Sequence, residues 1–346
     1  MHVPDGFIDA PISAATGVVA AAAVAVSLRG ARRELDERTA PLAGLVAAFI
    51  FAVQMLNFPV AAGTSGHLLG GALAAILVGP YTGVLCVSVV LLMQGILFAD
   101  GGLTALGVNI TDMAVVTTVV AYAVFRGLVK VLPRRRGSIT AASFVAAVLS
   151  VPAAAVAFTL IYAVGGTTDV SISKVATAMI GVHVLIGIGE AAITALTVGA
   201  VVAVRPDLVY GARGLRQKLK LRVGGDLVDV PDTAPVAARS HRKVWITGLV
   251  TSLVLAGFVS FYASASPDGL EKVAADKGID AKTEKHATAD SPLADYGVKD
   301  VENARLSGGL AGVIGVGVTV VAGTGIFWAV RRRRTADVSP ASTSGV

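Results

Sequence analysis

Long apolar stretches separated by short polar segments run along most of the chain. Stretches of about 17 to 25 apolar residues have the length that a helix needs to cross the hydrocarbon core of a bilayer. The third stretch is shorter, and the glycines and Pro80 around it predict a broken helix packed against its neighbours. The pattern predicts an all-α, polytopic membrane protein. The nine predicted stretches are 12–28, 41–58, 67–78, 83–98, 108–125, 139–164, 175–204, 244–262 and 306–330.

These stretches fall into two blocks. Seven of them lie within residues 1–204 and predict a seven-helix bundle. The last two lie within 244–330 and flank a polar segment at 263–305, which predicts a two-helix block with a loop. Segment 205–243 is polar and contains glycines and prolines, as linkers do. Residues 331–346 are expected to form a disordered tail.

Composition supports the membrane assignment. Apolar residues make up 54% of the chain and charged residues 15%, whereas about 25% of the residues in soluble domains are charged. The net charge of +6 would raise the possibility of a nucleic-acid partner in a soluble chain, but here the basic residues lie between apolar stretches. Cys86 is the only cysteine, which excludes an internal disulfide and a cysteine-based metal cluster.

The distribution of basic residues predicts the orientation. Four segments hold 22 of the 29 basic residues, and these are 29–38, 126–136, 205–243 and 331–334. Placing all four in the cytoplasm requires an even number of membrane crossings between each segment and the next. The nine stretches supply four, two and two crossings in chain order. We therefore expect the N-terminus and segment 263–305 outside the plasma membrane and the C-terminus inside.

The candidate chemistry lies at the N-terminus. The segment before the first stretch has no basic residue and does not have the form of a signal peptide, so we expect the mature chain to begin at Met1. The terminal amine, the amide nitrogen of His2 and the His2 ring can chelate a metal, with the fourth planar position left for His67. Four nitrogen donors in a plane suit nickel, cobalt or copper, whereas calcium and magnesium prefer oxygen and zinc prefers a tetrahedron.

Several motifs resemble those of the CbiM/NikM family, the substrate-binding membrane components of energy-coupling-factor ABC importers for cobalt and nickel. They are MHVPDGFID at 1–9, GTSGHLLGG at 63–71, QGILFADGGLTALGVN at 94–109 and HVLIGIGEAAIT at 183–194. The resemblance covers roughly residues 1–204. It implies a seven-helix fold that holds the metal near the outer face through Met1, His2 and His67.

The C-terminal block resembles a second component of the same systems. The sequence PDGLEKVAADKGID at 267–280 is similar to the PDGLE motif of the NikN-like partner, which occurs alone or fused, and CbiN is its cobalt counterpart. Acidic residues outnumber basic ones in segment 263–305. Such a segment either attracts cations or is an ordinary solvated loop.

Further polar side chains lie within or beside the apolar stretches. These side chains either support the metal ligands or line the exit path of the metal, or they form hydrogen bonds between helices. His183 and Glu190 are seven residues apart and share one helix face. The candidates are Asn57, Gln94, Asn109, Asp112, His183 and Glu190.

The sequence shows a candidate site but no source of energy. It has no phosphate-binding loop of the G-x-x-x-x-G-K-[ST] type and no constellation of catalytic residues, so we expect a transport component, with no resident cofactor, rather than an enzyme. The family resemblance implies a cytoplasmic ATPase subunit and a membrane coupling subunit as partners. The alternative is a self-sufficient secondary transporter or channel that uses Asp112, His183 and Glu190. Neither the importer component nor the secondary transporter decides between cobalt and nickel as the transported ion.

Overall fold

The structure, a computed structural model, is almost entirely helical, as expected. It describes residues 1–36, 39–61, 63–215, 220–223, 226–229 and 242–336. Within these ranges, seven helical spans are long and apolar enough to cross a membrane. They are Ala10–Glu34, Pro80–Leu97, Leu106–Val131, Arg136–Gly165, Ile172–Val204, Arg242–Tyr262 and Ala304–Arg332.

The helices follow the predicted apolar stretches. Helices α1 to α4 are Ala10–Glu34, Thr39–Gln54, Gly71–Val78 and Pro80–Leu97, and a short hairpin of β1 (Phe58–Ala61) and β2 (Thr64–Gly66) precedes α3. Next come α5 (Leu106–Asn109), a π-helical segment at Ile110–Val116, α6 (Thr117–Val131), α7 (Arg136–Gly165) and α8 (Ile172–Val204). A hairpin of β3 (Lys220–Val223) and β4 (Asp226–Asp229) lies in the expected linker, and α9 (Arg242–Gly257), α10 (Gly269–Lys277) and α11 (Ala304–Ala336) follow.

The third apolar stretch forms the eight-residue helix α3, and all eight residues are buried. It is about 12 Å long at 1.5 Å per residue, too short to span a bilayer alone. Glycines set both of its ends: Gly70 and Gly79 have φ of +92° and +106°, a region that favours glycine. Pro80 then starts α4 at once. The predicted broken, closely packed helix is confirmed.

Glu34 joins the C-terminal end of α1 to the N-terminal end of α4. Its Oε2 accepts hydrogen bonds from the Thr82 backbone N–H at 2.7 Å and from the Thr82 hydroxyl at 2.8 Å. A Cβ atom on Gly79 would lie 2.6 Å from the Glu34 carboxyl carbon. The C-terminal end of α3 therefore lies at the C-terminal end of α1. The N-terminal side of α3, which follows His67, lies toward the opposite end of the bundle, beside Met1.

Basic residues gather at the Glu34 end of the bundle. Arg32 and Arg33 lie in the last turn of α1. At the start of α7, Arg136 donates to the carbonyl of Ala203 near the end of α8, 3.2 Å away. The opposite end of α7 meets the start of α1, where the Asp9 N–H donates to the Gly165 carbonyl. The bundle thus has one basic end and, opposite it, one end that holds the N-terminus.

The C-terminal helices pack closely on α2 of the first block. A Cβ atom on Gly44 would lie 2.3 Å from the Thr324 hydroxyl, and one on Gly315 would lie 2.2 Å from the Phe51 ring. Helix α11 extends to Ala336, into the segment expected to be disordered, because Arg332 stacks on Trp328 and basic residues stabilise helix C-termini. Residues 337–346 of that segment lie outside the described ranges.

Candidate metal centre

The first residues of the chain enter the bundle as a non-helical strip with a turn at Asp5 and Gly6. Met1, Val3 and Phe7 of this strip are at most 3% exposed. Asn109 holds the strip: its Oδ1 accepts the Val3 N–H at 2.7 Å, and its Nδ2 donates to the Val3 carbonyl at 3.1 Å. Asp9 ends it by capping α1. The terminal amine is thereby held inside the protein.

The three predicted ligand residues come together there. The Met1 nitrogen lies 2.7 Å from His67 Nε2, and the rings of His2 and His67 stack with centroids 5.1 Å apart. Within the described residues, the amide N–H of His2 makes no hydrogen bond, unlike that of Val3. The amine, this amide and both imidazoles are therefore positioned as a group of nitrogen donors.

Hydrogen bonds orient both imidazoles. His67 Nδ1 lies 3.0 Å from the Leu68 carbonyl, so that a proton on Nδ1 leaves the Nε2 lone pair facing Met1. His2 Nε2 lies 3.1 Å from the Gln94 side-chain oxygen. A proton on that nitrogen leaves Nδ1 with its lone pair, and Nδ1 is the ring atom that closes a six-membered chelate with the His2 amide. Carbonyl acceptors behind ligating histidines are the usual support of metal sites.

Glu190 and Gln54 support the chain directly after His67. Glu190 accepts the N–H groups of Leu69 at 2.6 Å and Gly70 at 3.2 Å. The Gln54 amide donates to the Leu69 carbonyl at 3.1 Å. Since Gly70 also starts α3, these bonds fix both the start of the helix and the position of His67.

Asp268, in the C-terminal block, is a member of the site that the sequence did not single out. Its Oδ2 lies 2.6 Å from the Met1 nitrogen and 3.4 Å from His67 Nε2. One donor atom each of His2, His67 and Asp268 lie within 4.8 Å of one another, an arrangement that can hold a metal ion. In the sequence Asp268 is one acid among many in segment 263–305, and only its position before a helix in the PDGLE motif distinguishes it.

A segment of the C-terminal block, residues 286–296, lies across the turn that carries Asp100. We call it the strap. The Thr288 and Ser291 hydroxyls donate to the carbonyls of Gly95 and Leu97. The Tyr296 hydroxyl donates to Asp100 Oδ2 at 2.6 Å and accepts from the Gln94 amide at 2.9 Å. The strap therefore contacts the residues that face His2, since Asp100 Oδ1 is 3.3 Å from His2 Nδ1.

The six further sequence candidates separate into those that reach the site and those that do not. Gln94 contacts the His2 ring, Asn109 binds the backbone of Val3, and Glu190 binds the N–H groups of Leu69 and Gly70. Asn57 lines the cavity around the site and accepts the Ser264 N–H through its carbonyl. Asp112 and His183 are buried, but both carboxylate oxygens of Asp112 and the His183 Nε2 have no hydrogen-bond partner among the described residues. Neither contacts Met1, His2 or His67 through any bond seen in the described part of the chain.

Burial sets the charge state of the His2 ring. The ammonium group of Met1 sets the charge state of the Asp268 carboxyl group. Burial lowers the pKa of His2 to about 4, although Asp100 acts in the opposite direction. Burial alone would raise the pKa of Asp268, but the nearby ammonium and His67 outweigh it and leave that pKa well below its usual range. His2 is therefore neutral, as a metal ligand must be, and Asp268 is a carboxylate.

A cavity of about 680 Å³ connects these groups. Both blocks line it, the first with His2, His67 and Asp100 and the second with Asp268 and Glu271. Imidazole and amine nitrogens beside carboxylates are donors for borderline transition metals. The fold and the site together define a multi-pass membrane protein with a buried cluster of nitrogen and carboxylate donors, a candidate metal site, at the end opposite its basic residues.

Comparison with known proteins agrees with this description. Residues 2–208 match the family described as the cobalt uptake substrate-specific transmembrane region, and residues 242–332 match the PDGLE domain. The chain belongs to this CbiM family and carries a fused PDGLE domain, which confirms the resemblance seen in the sequence. Membership and the helices together make it a multi-pass protein of the plasma membrane.

Individual relatives show both arrangements of the blocks. A cobalt transport protein CbiM of Sorangium cellulosum is 34% identical over 60% of this chain and 94% of its own length. A fused nickel transport protein NikMN of Rhodobacter capsulatus is 44% identical over 36% of each chain. A crystal structure of a truncated transition metal transporter is 26% identical, covers 59% of this chain and 99% of its own, and superposes with a TM-score of 0.53.

Proposed function

We propose that the chain is the substrate-binding membrane component of an energy-coupling-factor importer for cobalt or nickel. The metal ligands in this proposal are the Met1 amine, the His2 amide and ring nitrogens, and His67 Nε2. The observation that carries it is the 2.7 Å between the Met1 nitrogen and His67 Nε2. Donors at right angles on one metal are about 3 Å apart when the metal–nitrogen bonds are roughly 2.0–2.1 Å long.

The nitrogen-rich donor set supports nickel or cobalt as the transported ion. Tetragonal nitrogen sites suit Ni²⁺ and Cu²⁺, and Co²⁺ binds similar donors more weakly. Relatives are named for both cobalt and nickel transport, and the ligand residues alone do not choose between them. Because metal binding requires a free amine, the proposal includes a chain that begins at Met1 in the mature protein.

The charge distribution supports an extracytoplasmic site. Arg32, Arg33 and Arg136 lie at the end of the bundle opposite Met1. Basic loops are retained in the cytoplasm, so the metal centre faces outward in this proposal. The ion then enters from outside, and release to the cytoplasm requires a change in the bundle.

That change requires energy from other subunits, which we propose to be a cytoplasmic ATPase and a membrane coupling protein. The competing function is a secondary transporter driven through Asp112, His183 and Glu190. The observation in its favour is that buried polar atoms of Asp112 and His183 have no hydrogen-bond partner among the described residues. Ionisable groups inside a membrane are functional candidates by default.

Radiolabelled uptake separates the two functions. We expect cells that express the chain with its ATPase and coupling subunits to accumulate Co²⁺ or Ni²⁺, and cells that also carry a catalytically inactive ATPase to lose nearly all uptake. His67→Ala is expected to abolish uptake in the complete system. Full uptake with the inactive ATPase, abolished by Asp112→Asn, would instead establish the secondary transporter.

A further inference from the structure

Asp268 stands in the metal centre although it belongs to the other block of the chain. Its Oδ2, the Met1 nitrogen and His67 Nε2 form a triangle with sides of 2.6, 2.7 and 3.4 Å. We propose that Asp268 Oδ2 is an oxygen ligand of the transported ion, bound above the plane of the nitrogen donors. This inference rests on the proposed function and extends it to a fifth donor, supplied by the PDGLE domain.

The spacing of the triangle is that of neighbouring ligands. Metal–nitrogen and metal–oxygen bonds of roughly 2.0–2.2 Å put donors at right angles about 3 Å apart, and donors across a metal about 4 Å apart. All three sides of the triangle fall at or near the shorter spacing. Asp268 is therefore placed beside the amine and His67 as an adjacent donor, not as a distant counter-ion.

The carboxylate is held in this position by its own helix. Asp268 Oδ1 caps α10 by accepting the Glu271 N–H at 2.9 Å, and Glu271 in return accepts the Asp268 N–H at 2.9 Å. This reciprocal capping box occupies Oδ1 and leaves Oδ2 to face the site. A ligand whose second oxygen is already bonded loses little freedom when it binds a metal.

The start of α10 is in turn packed against α8. A Cβ atom on Gly269 would lie 2.8 Å from the Ile186 side chain and 3.2 Å from the His183 ring. The Ser65 N–H also donates to the Pro267 carbonyl at 2.9 Å. Asp268 is thus fixed from both sides, by the hairpin next to His67 and by α8.

Charge compensation gives the carboxylate a function. A divalent ion surrounded by neutral amine and imidazole groups would leave uncompensated charge in a buried site, which is costly. Loss of the His2 amide proton cancels one charge, and Asp268 cancels the second. The ammonium proton that Asp268 holds in the metal-free protein leaves when the ion binds, so the carboxylate exchanges one cation for another.

The test uses the full chain purified in detergent, titrated with Ni²⁺ and measured at the nickel K-edge. A planar four-coordinate Ni²⁺ ion gives a well-resolved pre-edge shoulder, the planar shoulder, which an added apical ligand weakens and broadens. We expect no well-resolved shoulder in the unsubstituted protein. In Asp268→Asn the planar shoulder should appear and the Kd should rise by about 10-fold to 100-fold. Asparagine caps helices as well as aspartate, so α10 is retained.

Glu284→Gln is the matched control. It removes one negative charge from the lining of the same cavity and leaves the capping box between Asp268 and Glu271 untouched. We expect this variant to keep the Kd and the spectrum of the unsubstituted protein. An equal loss of affinity in Glu284→Gln would show that only the local negative charge matters, which overturns a ligand role for Asp268.

The remaining outcomes are also decisive. A planar shoulder in the unsubstituted protein overturns the apical ligand, even if Asp268→Asn does not fold. Tighter Ni²⁺ binding by Asp268→Asn with an unchanged spectrum would make Asp268 only a counter-ion that competes with the metal. Absence of Ni²⁺ and Co²⁺ binding by the unsubstituted protein would refute the proposed function itself. This result differs from the two outcomes above, which refute only the ligand role of Asp268.

Discussion

Glu190 accepts the backbone N–H of Leu69 at 2.6 Å, across 121 residues of sequence. It is fully buried in the middle of α8, and its second oxygen accepts the Gly70 N–H. The His67 segment is therefore held by a carboxylate from a different helix. In the proposed coordination, this relationship makes Glu190 a residue that positions the His67 ligand without touching the metal.

We expect Glu190→Gln to weaken Ni²⁺ binding by about 10-fold, because one of the two N–H groups would face an amide nitrogen instead of an oxygen. Calorimetric titration of the purified chain measures the change. Thr194→Val is the matched control, since its hydroxyl lies one turn further along α8, is buried and has no partner among the described residues. Equal affinity in both variants would contradict the positioning role.

Adding one glycine before Met1 tests the amine. The new residue moves the free amine away and converts the Met1 nitrogen into an amide, so we expect no measurable Ni²⁺ or Co²⁺ binding, as in His67→Ala. N-terminal mass spectrometry must confirm the start of each protein. The melting temperature of the metal-free protein serves as the control for folding, and unchanged affinity in the extended protein would refute the proposed coordination.

Gly70→Ala should destabilise the protein more than Gly63→Ala. Both glycines have positive φ, but a Cβ atom on Gly70 would lie 2.7 Å from Ile50, whereas a Cβ atom on Gly63 meets nothing within 4 Å. We expect a loss of about 1 kcal/mol at Gly63 from backbone strain and about 2–4 kcal/mol at Gly70, where overpacking is added. Thermal unfolding in detergent compares the two. Equal losses would mean that the contact with Ile50 relaxes freely.

Tyr296→Phe removes a hydroxyl that links the strap to Gln94 and Asp100. The Gln94 amide then loses an acceptor, and the amide is no longer held with its oxygen toward His2. We expect the Kd for Ni²⁺ to rise several-fold, measured beside Tyr262→Phe, whose side chain is exposed. A shift of the same size in both variants would point to a general effect of losing a hydroxyl.

The metal-free protein should lose stability as the pH falls. Burial lowers the pKa of His2 from 6.5 to about 4, so between these values the unfolded chain binds a proton that the folded protein excludes. The free energy of unfolding should therefore decrease from pH 6.5 toward pH 4, by about 3 kcal/mol in total. Unfolding after removal of metal with a chelator measures this, and His2→Gln should lack that contribution.

Sequence patterns predicted the helices and singled out Met1, His2 and His67, which lie together in the structure. The length of an apolar stretch and a histidine at the second position of the chain are local features, so they are visible along the chain. The partnership of Asp268 with Met1 joins residues 267 positions apart, and no local pattern encodes it. Asp112 and His183 stay predictions, because a polar residue in an apolar stretch indicates a functional candidate but does not say which groups it faces.

The strap has a consequence for how the transporter assembles. If the PDGLE domain were a separate protein, the contacts around Gly95 and Leu97 and the supply of Asp268 would depend on its abundance in the membrane. Association of two free proteins costs translational and rotational freedom, whereas a tether keeps the partner at an effective concentration of order millimolar. In this fused chain every candidate metal centre therefore carries its own strap, and the contacts of the strap with Gly95 and Leu97 form within one molecule.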